Sequence, residues 1–372
     1  MKILCMKIAV WILRKVYLLF RPLKLKRKVV MLSRQSGKPS LDYKYLEKEL
    51  NARGIKNVTL CHEMKSSVSG FIKYMIHILQ QMRHIADASV IITDGYCMLL
   101  SIIEKKEGQE VIQIWHSLAA IKKFGWQNVN AADGRGAQVA KVMKMHRNYD
   151  YFLAPSEVTA DHFAESFGTD RDKAVLLGLP RLDYINHPSK KTRKKIQDKY
   201  PIVLEKANVI YAPTFRRGKK LEISDLIEHF PFEQYNLIIK KHPLDQADYS
   251  KLERPGIVFD QKFNTIDWYP LCEKVITDYS GVAIEAAAAR KEIYFYLPDK
   301  KDYSNSQGLN MNFEKESIHS YVCQSAEALC NLLLEEYDKG AMETFRRKYI
   351  SVNTEHCTRD IVDFVETILE RS

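Results

Sequence analysis

The strongest chemical signal in the sequence is Asp278-Tyr279-Ser280-Gly281, which separates a β-branched run at 275–277 from an alanine-rich segment. The pattern predicts a strand that ends at Asp278 and a helix that follows at once. Such a helix points its free N–H groups and its positive dipole end at the crevice beside the sheet. Those groups and the Ser280 hydroxyl would bind a phosphate. Glu285 would face a ribose or serve the fold, and Asp278 alone would suit a helix N-cap.

Two histidines follow predicted strands in opposite halves of the chain. His116 closes the run 112–116, and His242 comes shortly after the run 237–240. In an open α/β sheet the carboxyl ends of the strands face the ligand crevice. A neutral imidazole there accepts a proton from a hydroxyl near neutral pH. The alternative is that each histidine only serves the fold, as expected for His187 in a basic connector.

Basic and hydroxyl side chains accompany both histidines. Thr214 and Arg216 lie on the loop after the predicted strand that ends at residue 212. Arginine binds phosphate oxygens through two hydrogen bonds and keeps its charge when partly buried; a surface ion pair is the alternative for Arg216. Lys122 and Lys123 follow His116 closely enough to reach the same cleft, or they are solvated charges.

Several familiar motifs are absent from the sequence. There is no P-loop and no strand-coupled G-x-G-x-x-G, and Gly134-Arg135-Gly136 has no strand before it, so it is a weak signal. No Asp-x-Asp pair or histidine cluster predicts a dedicated metal site, although the pattern admits a loosely held magnesium ion. The seven cysteines are scattered without a CxxC pair, which favours a reducing cytoplasm over a disulfide framework.

The periodicity predicts an α/β protein with two domains, each a parallel sheet with helices on both faces. The predicted strands lie at 28–32, 58–61, 89–93, 110–115, 149–154, 174–177, 209–212, 237–240, 257–259, 274–277 and 293–296. The predicted helices lie at 40–53, 68–84, 96–104, 156–167, 222–230, 281–290, 325–337, 340–349 and 356–370. The expected divisions are an N-terminal segment (1–27), a first Rossmann-like domain (28–185), a linker (186–200), a second Rossmann-like domain (201–350) and a C-terminal helix (351–372).

The charge of the chain is concentrated at its start. Residues 1–28 carry nine basic side chains and no acidic one, which leaves +2 of the net +11 for the rest. This balance argues against a broad nucleic-acid surface and for one local anionic contact. The apolar run in residues 1–27 is interrupted by Lys7 and closed by Arg14 and Lys15, so it is too short to span a bilayer, and no signal-peptide cleavage site follows it. The basic, aromatic-bearing pattern of this segment suits an anionic membrane surface; the alternative is a solvated or core-docking helix.

Six motifs in series resemble the CDP-glycerol glycerophosphotransferase family, whose members move polyol phosphate from a CDP-polyol to a lipid-linked acceptor in teichoic acid synthesis. The matching segments are Trp115-His116 with Lys122-Lys123-Phe124-Gly125, Ala154-Pro155-Ser156, Gly178-Leu179-Pro180-Arg181-Leu182-Asp183, Tyr211-Ala212-Pro213-Thr214-Phe215-Arg216, Lys241-His242-Pro243 and Ile276-Thr277-Asp278-Tyr279-Ser280. Ser33-Arg34-Gln35 and Pro39-Ser40-Leu41-Asp42 resemble the opening of the same domain.

The resemblance implies a GT-B-type fold, with two Rossmann-like domains and the active site in the cleft between them. It implies that His116 is the base on the acceptor hydroxyl and that His242 stabilises the pyrophosphate or leaving group. The implied donor site comprises Thr214, Arg216, Asp278, Tyr279, Ser280, Gly281 and Glu285. The implied acceptor or phosphate contacts are Lys122, Lys123 and Arg181.

The chain departs from the family pattern at two places. Many members have Gly-Thr after the first histidine, where this chain has Ser117-Leu118, and many have a second serine where this chain has Gly281. The first departure bears on the acceptor or polyol pocket and leaves glycerol and ribitol both open. The second removes one hydroxyl donor and keeps the backbone N–H groups.

The reaction expected from the resemblance is transfer of glycerol phosphate or ribitol phosphate from a CDP-polyol to an undecaprenyl-linked polymer, with release of CMP and no tightly bound cofactor. The enzyme is expected to be peripheral, at the cytoplasmic face of the bacterial plasma membrane, with a homo-oligomer also admitted and no nucleic-acid partner. One alternative is a GT-B nucleotide-sugar glycosyltransferase in cell-surface polysaccharide synthesis. The other is a non-catalytic protein that binds the membrane surface.

Overall fold

The computed structural model describes residues 2–63, 67–132, 134–214, 223–241, 249–252 and 254–371. The chain divides into two compact units. The first comprises Met1–Leu118, Lys123–Asp183 and Val352–Ser372, and the second comprises Ala119–Lys122 and Tyr184–Ser351. Among the described residues, no helix combines the length and the apolar content needed to cross a membrane.

The first unit is built on a six-stranded parallel sheet in the order β2-β1-β3-β4-β5-β6. Its strands are β1 (Lys26–Ser33), β2 (Lys56–Cys61), β3 (Ala88–Thr93), β4 (Glu110–Gln113), β5 (Tyr151–Ala154) and β6 (Ala174–Leu176). The helices of this part of the chain are α1 (Lys2–Leu18), α2 (Leu41–Ala52), α3 (Val68–Ile85), α4 (Met98–Ile102), α5 (Ala137–Val142), α6 (Glu157–Phe167) and α7 (Pro180–Asn186).

The second unit repeats this architecture with a parallel sheet in the order β12-β11-β10-β7-β8-β9. Its strands are β7 (Ala207–Ala212), β8 (Tyr235–Lys240), β9 (Ile257–Asp260), β10 (Lys274–Thr277), β11 (Glu292–Tyr296) and β12 (Val322–Cys323). Its helices are α8 (Lys190–Lys199), α9 (Ser224–His229), α10 (Thr265–Trp268), α11 (Val282–Ala288), α12 (Lys300–Ser306), α13 (Ala326–Leu332) and α14 (Lys339–Tyr349). The predicted α/β class with two parallel sheets is therefore confirmed.

Burial on both faces of the sheet explains why the sequences of the central strands are continuous apolar runs. Every residue of β3 is buried, as is every residue of β10, because helices cover both faces of a parallel sheet. The predicted N-caps also form: Ser40 accepts a hydrogen bond from the Tyr43 N–H, and Ser156 accepts one from the Thr159 N–H. Each cap satisfies a backbone donor that the first helical turn leaves without a partner.

Each sheet has one point where the chain reverses the direction in which it adds strands. In the first sheet this point lies at β1 and β3, because β2 is added on one side of β1 and β3 on the other. In the second sheet it lies at β7 and β10 for the same reason. Loops diverge there at the carboxyl ends of the strands, and the opening between them is where doubly wound proteins bind ligands.

The observed units differ from the predicted divisions in three places. The segment 186–200, expected as a linker, contains helix α8, whose cap is Ser189 and whose one buried position is Ile196. Because most residues of this helix are lysine or other polar residues, the sequence shows no apolar periodicity around Ile196 that would predict a packed helix. Residues 119–122 belong to the second unit, where the Asn310 N–H donates to the Ile121 carbonyl. The chain then returns to the first unit at its end.

Helix α15 (Cys357–Arg371) completes the first unit. It packs against α2 and β3 and buries Ile361, Val365 and Ile368. Asp183 holds its first turn, because the carboxylate accepts hydrogen bonds from the N–H groups of Cys357 and Thr358, each at 2.8 Å, and from the Thr358 hydroxyl. This carboxylate caps a helix that lies far away in sequence, which explains the aspartate of the matching segment 178–183.

We expect Asp183→Ala to destabilise the first unit by about 2 kcal/mol, because the start of α15 loses its cap and its buried N–H groups lose their acceptor. Urea unfolding followed by circular dichroism measures this change. Asp172→Ala is the matched control, since Asp172 is exposed on the surface, and it should stay within about 0.5 kcal/mol of the wild type. Equal stability of the two variants would contradict the capping role.

Candidate active site

His116 lies on a turn just beyond the carboxyl end of β4, where its side chain is exposed. The turn depends on Trp115, whose φ of 56° lies in the left-handed region that few non-glycine residues adopt. The Trp115 ring stacks on Phe124 with a centroid distance of 4.3 Å and meets Phe167 edge-on at 5.5 Å. This aromatic packing holds the strained residue in place, so that the next side chain points outward.

The imidazole of His116 is oriented by the main chain after β3. Its Nδ1 lies 3.0 Å from the carbonyl oxygen of Asp94. Because a carbonyl oxygen can only accept, Nδ1 carries the hydrogen and the lone pair resides on Nε2. The atom of Gln35 placed 3.1 Å from the same nitrogen is the amide Nε2, which can only donate; with Nδ1 protonated, the amide group is turned by 180° so that Oε1 accepts there. His116 is thereby held in the tautomer that a general base requires.

Gly95 allows these groups to approach one another. A Cβ atom at this position would lie 3.0 Å from the carboxamide nitrogen of Gln35 and 4.0 Å from Nδ1 of His116. Any side chain would therefore press on the residues that hold the imidazole. The Gln113 carboxamide donates a hydrogen bond to the Gly95 carbonyl at 3.1 Å and so fixes the turn from the β4 side.

The carboxyl group of Asp94 is unusual. The residue is 3% exposed; in the described part of the chain neither carboxylate oxygen makes a well-aligned hydrogen bond, and the Ser33 hydroxyl and the Asp94 N–H lie close enough only to lower its pKa in part. Burial raises its pKa to about 7, and the nearby Asp42 carboxylate adds to the rise. An ionised carboxylate without partners is costly in a site of this kind. Asp94 thus sits close to its protonation midpoint at neutral pH, directly behind the turn that orients His116.

In the second unit, the structure brings Thr214 and Asp278 together at the reversal point of the sheet. The Thr214 N–H lies 2.9 Å from both carboxylate oxygens of Asp278, and the Thr214 hydroxyl donates to one of them at 2.7 Å. Asp278 is 1% exposed. It therefore joins the loop after β7 to the end of β10. The N-cap of α11 is Gly281, so the alternative of Asp278 as the cap of that helix is wrong.

The rest of the segment 279–285 divides between core and surface. The Tyr279 ring is fully buried and stacks on Tyr303 at 3.8 Å, while its hydroxyl donates to Asp299 at 3.2 Å. The predicted contact of Tyr279 with the CDP-polyol stays a prediction. Ser280 and Glu285 are half-buried, and the Ser280 hydroxyl accepts from the Val282 N–H at 3.3 Å.

The three residues expected to contact the acceptor or its phosphate have different surroundings. Lys122 belongs to the second unit, where it forms a β-bridge with Leu309, whereas Lys123 is half-buried in the first unit. The Arg181 guanidinium lies 2.5 Å from the Asp42 carboxylate, which is itself buried. The structure thus gives Arg181 a structural ion pair. Its predicted contact with substrate stays a prediction.

Two of the predicted site residues, Arg216 and His242, lie outside the described residues. The His116 site has two further residues: Asp94 was not singled out from the sequence, and Gln35 appeared only as part of the matching segment Ser33-Arg34-Gln35. A signal for Asp94 was present, because 90–93 is a β-branched run followed by Asp-Gly, much as 275–277 precedes Asp278. Within the described residues, no group of three or more histidine, cysteine, aspartate or glutamate side chains has the geometry of a metal site.

Two doubly wound units, each with polar groups at the reversal point of its sheet, define an α/β fold of the GT-B type. The chain belongs to the CDP-glycerol:poly(glycerophosphate) glycerophosphotransferase family, whose sequence pattern matches residues 15–367. It is therefore an enzyme that transfers polyol phosphate. The fold class and the family indicated by the motifs are both confirmed.

Two curated relatives and one solved structure illustrate this membership. The chain is 26% identical to the teichoic acid ribitol-phosphate primase of Bacillus spizizenii over 357 residues, covering 92% of this chain and 91% of the relative. It is 27% identical to the teichoic acid glycerol-phosphate primase of Bacillus subtilis over 303 residues, covering 80% and 78%. The wall teichoic acid polymerase TagF, in a structure determined after soaking with CDPG, superposes with a TM-score of 0.75 at 18% identity, covering 96% of this chain and 93% of that one.

We expect Asp94→Asn to become more stable than the wild type as the pH rises. The folded protein holds a proton on Asp94 up to about pH 7, whereas the unfolded chain releases it near pH 4. The wild type therefore loses stability between those values, and the variant does not. Between pH 5 and pH 8 the difference in unfolding free energy should grow by roughly 2–3 kcal/mol.

Urea unfolding at both pH values measures this difference. Asp94→Ala also lacks the ionisable group, so it should show the same change with pH whatever its absolute stability. A difference between wild type and variants that stays constant from pH 5 to pH 8 would show that Asp94 titrates normally.

Proposed function

We propose that this protein transfers glycerol phosphate or ribitol phosphate from a CDP-polyol to a hydroxyl group of an undecaprenyl-linked teichoic acid or related polymer, with release of CMP. The observation that carries the proposal is the geometry of His116. Its Nδ1 is held by the Asp94 carbonyl, which leaves the basic Nε2 on an exposed side chain at the carboxyl edge of the sheet. Family membership supplies the donor class.

In the proposed reaction, the acceptor hydroxyl attacks the β-phosphorus of the CDP-polyol. The new bond joins the acceptor oxygen to this phosphorus, the bond from phosphorus to the CMP oxygen breaks, and the hydroxyl proton passes to Nε2 of His116. The imidazolium that forms keeps its Nδ1–H bonded to the Asp94 carbonyl. A general base of this kind contributes about 10²- to 10⁴-fold in rate. Positioning and charge stabilisation supply most of the rest.

We assign the donor to the second unit and the acceptor to the first. Thr214 and Asp278 form a rigid connection at the reversal point of the second sheet, where doubly wound folds bind nucleotides. Asp278 positions Thr214 in this proposal, and Ser280 and Glu285 lie beside it. Arg216 and His242 keep the roles that the family resemblance implies, in binding the pyrophosphate and stabilising the leaving group.

CMP release tests the proposal directly. Purified protein is incubated with a lipid-linked acceptor analogue and each of CDP-glycerol, CDP-ribitol, a UDP-sugar and a GDP-sugar, with either magnesium or EDTA present. We expect CMP and an extended acceptor with one or both CDP-polyols. Turnover of a UDP- or GDP-sugar alone would support the glycosyltransferase alternative, and no turnover of any donor would revive the non-catalytic one.

We expect His116→Ala to lower the transfer rate by about 10²- to 10⁴-fold, because the acceptor hydroxyl loses its proton acceptor. Binding of the CDP-polyol, measured by calorimetry, should be nearly unchanged. His187→Ala is a matched control, since it removes a histidine from the connector and should leave the rate at the wild-type value. Turnover within a factor of about three of the wild type would refute the base assignment.

We further propose that helix α1 holds the enzyme at the cytoplasmic face of the bacterial plasma membrane. One side of the helix docks on the protein: Tyr17 is buried and Arg14 pairs with Glu104 at 2.7 Å. The same helix exposes Leu4, Ile8 and Trp11 at helical spacing, with Leu4 62% and Trp11 61% exposed. An exposed apolar stripe among basic residues suits an anionic bilayer surface.

Replacing Leu4, Ile8 and Trp11 together by glutamine should release the protein from vesicles that contain phosphatidylglycerol, measured by co-sedimentation. The fold should remain intact because all three side chains are exposed. Helix α3 offers a matched control in Ile72, Ile76 and Leu79, which form an exposed apolar stripe of the same length. Release of the α3 variant instead of the α1 variant would overturn the assignment to α1.

A further inference from the structure

Helix α8 carries a second concentration of positive charge. Residues 190–199 hold six basic side chains and one acidic one, a net charge of +5. Together with the +9 of residues 1–28, this leaves −3 of the total +11 for the other 334 residues. The positive charge of the protein thus comes from two short segments, one in each compact unit.

The lysines of α8 share one side of a helix that is fixed on the second unit. All six basic side chains are exposed, whereas the one buried residue is Ile196. Tyr200 ends the helix and donates a hydrogen bond to the buried Asp260 carboxylate at 3.0 Å. Because an α-helix has 3.6 residues per turn, four lysines lie on the side opposite Ile196. This lysine face consists of Lys190, Lys191, Lys194 and Lys195.

These charges are placed against the stability of the helix. No acidic residue lies in the first turn of α8, where the helix dipole favours negative charge and disfavours lysine. Lysines of the face also stand four residues apart, where like charges repel each other. In α14 the basic residues lie in the last turn, and Arg346 and Arg347 pair with Glu343. Local energetics therefore explain the charges of α14 but not the lysine face.

Little negative charge neutralises the lysine face. Among the described residues, Lys194 lies 3.7 Å from the exposed Asp198 carboxylate, and the other three lysines of the face make no ion pair. The N–H groups at the start of the helix add to the same positive potential. A surface of uncompensated positive charge attracts an anionic partner.

We propose that the lysine face of α8 is a second contact with the anionic bilayer, made by the second unit through charge alone. This inference goes beyond the contact proposed for α1 and rests on the membrane localisation proposed with it. Lysine suits a fluid headgroup surface, because its ammonium group is a hydrated point charge on a flexible stem. An apolar anchor and a polybasic surface together hold a protein at a bilayer more stably than either does alone. Helix α1 supplies the exposed apolar side chains, and α8 supplies the polybasic surface.

Two other anionic partners fit the lysine face less well. Single-stranded nucleic acid binds where aromatic rings stack on its bases, and α8 contains no aromatic residue. The phosphates of a polymer held in a fixed position favour arginine, whose guanidinium forms paired hydrogen bonds. The face holds lysine only, which favours the diffuse charge of a bilayer surface.

Co-sedimentation with vesicles of phosphatidylcholine that contain rising fractions of phosphatidylglycerol tests the proposal. Replacing all four lysines of the face by glutamine removes the charge and keeps a similar helix propensity. Each lysine should contribute about threefold to fivefold in affinity for the anionic vesicles. The variant should therefore bind them about a hundredfold more weakly than the wild type, and its affinity should fall less steeply with added salt.

The matched control changes the net charge by the same amount at scattered positions. It replaces four exposed lysines of the second unit by glutamine, namely Lys262, Lys301, Lys315 and Lys339. This control should bind the anionic vesicles within about threefold of the wild type, because its lysines do not share one surface. Circular dichroism verifies that both variants are folded. With an acceptor analogue in neutral detergent, the lysine-face variant should release CMP at the wild-type rate.

Three results would overturn the inference. One is equal affinity of the lysine-face variant and the wild type for anionic vesicles. Another is an equal loss of affinity in the scattered control, which would show that only the net charge matters. The last is a raised KM for the acceptor in neutral detergent, which would assign the lysine face to the polymer. Failure of the wild type to bind anionic vesicles would instead refute the membrane localisation itself, and failure to release CMP from any CDP-polyol would refute the proposed reaction.

Discussion

Parallel strand pairing is the constraint on which the rest of this structure depends. All strands of a parallel sheet end at the same edge, so residues that are distant in sequence meet there if each follows a strand. In the first unit, the loops after β1, β3 and β4 bring Gln35, Asp94 and His116 into contact. In the second, the loops after β7 and β10 bring Thr214 to Asp278. The hydrogen bonds at each edge follow from this topology.

The two edges use their acidic residue in opposite ways. Asp278 is satisfied by three hydrogen bonds from Thr214 and so stiffens the second unit. Asp94 is buried without such bonds, and its carbonyl rather than its carboxylate contacts the histidine. A group that weakens the fold when it ionises is unusual away from a functional site.

The sequence predicts the strands well, because buried β-branched runs such as 90–93 and 275–277 have few other uses. It also indicates His116 and Asp278, since each polar residue directly follows such a run. It does not show that the Arg181 charge is paired with Asp42 or that the Tyr279 ring lies in the core. Those properties depend on α2 and α12, which are far away in sequence. Nor does it show the helix at 190–199, where one buried isoleucine is surrounded by lysines.

Gly281, the departure from the family pattern, has ordinary helical geometry, with φ of −58° and ψ of −12°. Any residue can adopt these angles, so the backbone does not demand glycine at this position. Leu118, the other departure, is fully buried in the first unit. The Gly281 departure thus removes a hydroxyl group from the surface near Ser280, and the Leu118 departure affects how the loop after His116 is anchored in the core.

The capping of α15 by Asp183 has a consequence for the order of events during synthesis. The second unit is synthesised before helix α15, which completes the first unit. During that interval the surface of α2 and β3 that α15 covers in the native state is exposed. A nascent chain in that interval exposes an apolar groove that chaperones recognise. The packing of α15 is therefore the step that completes the native state of the first unit.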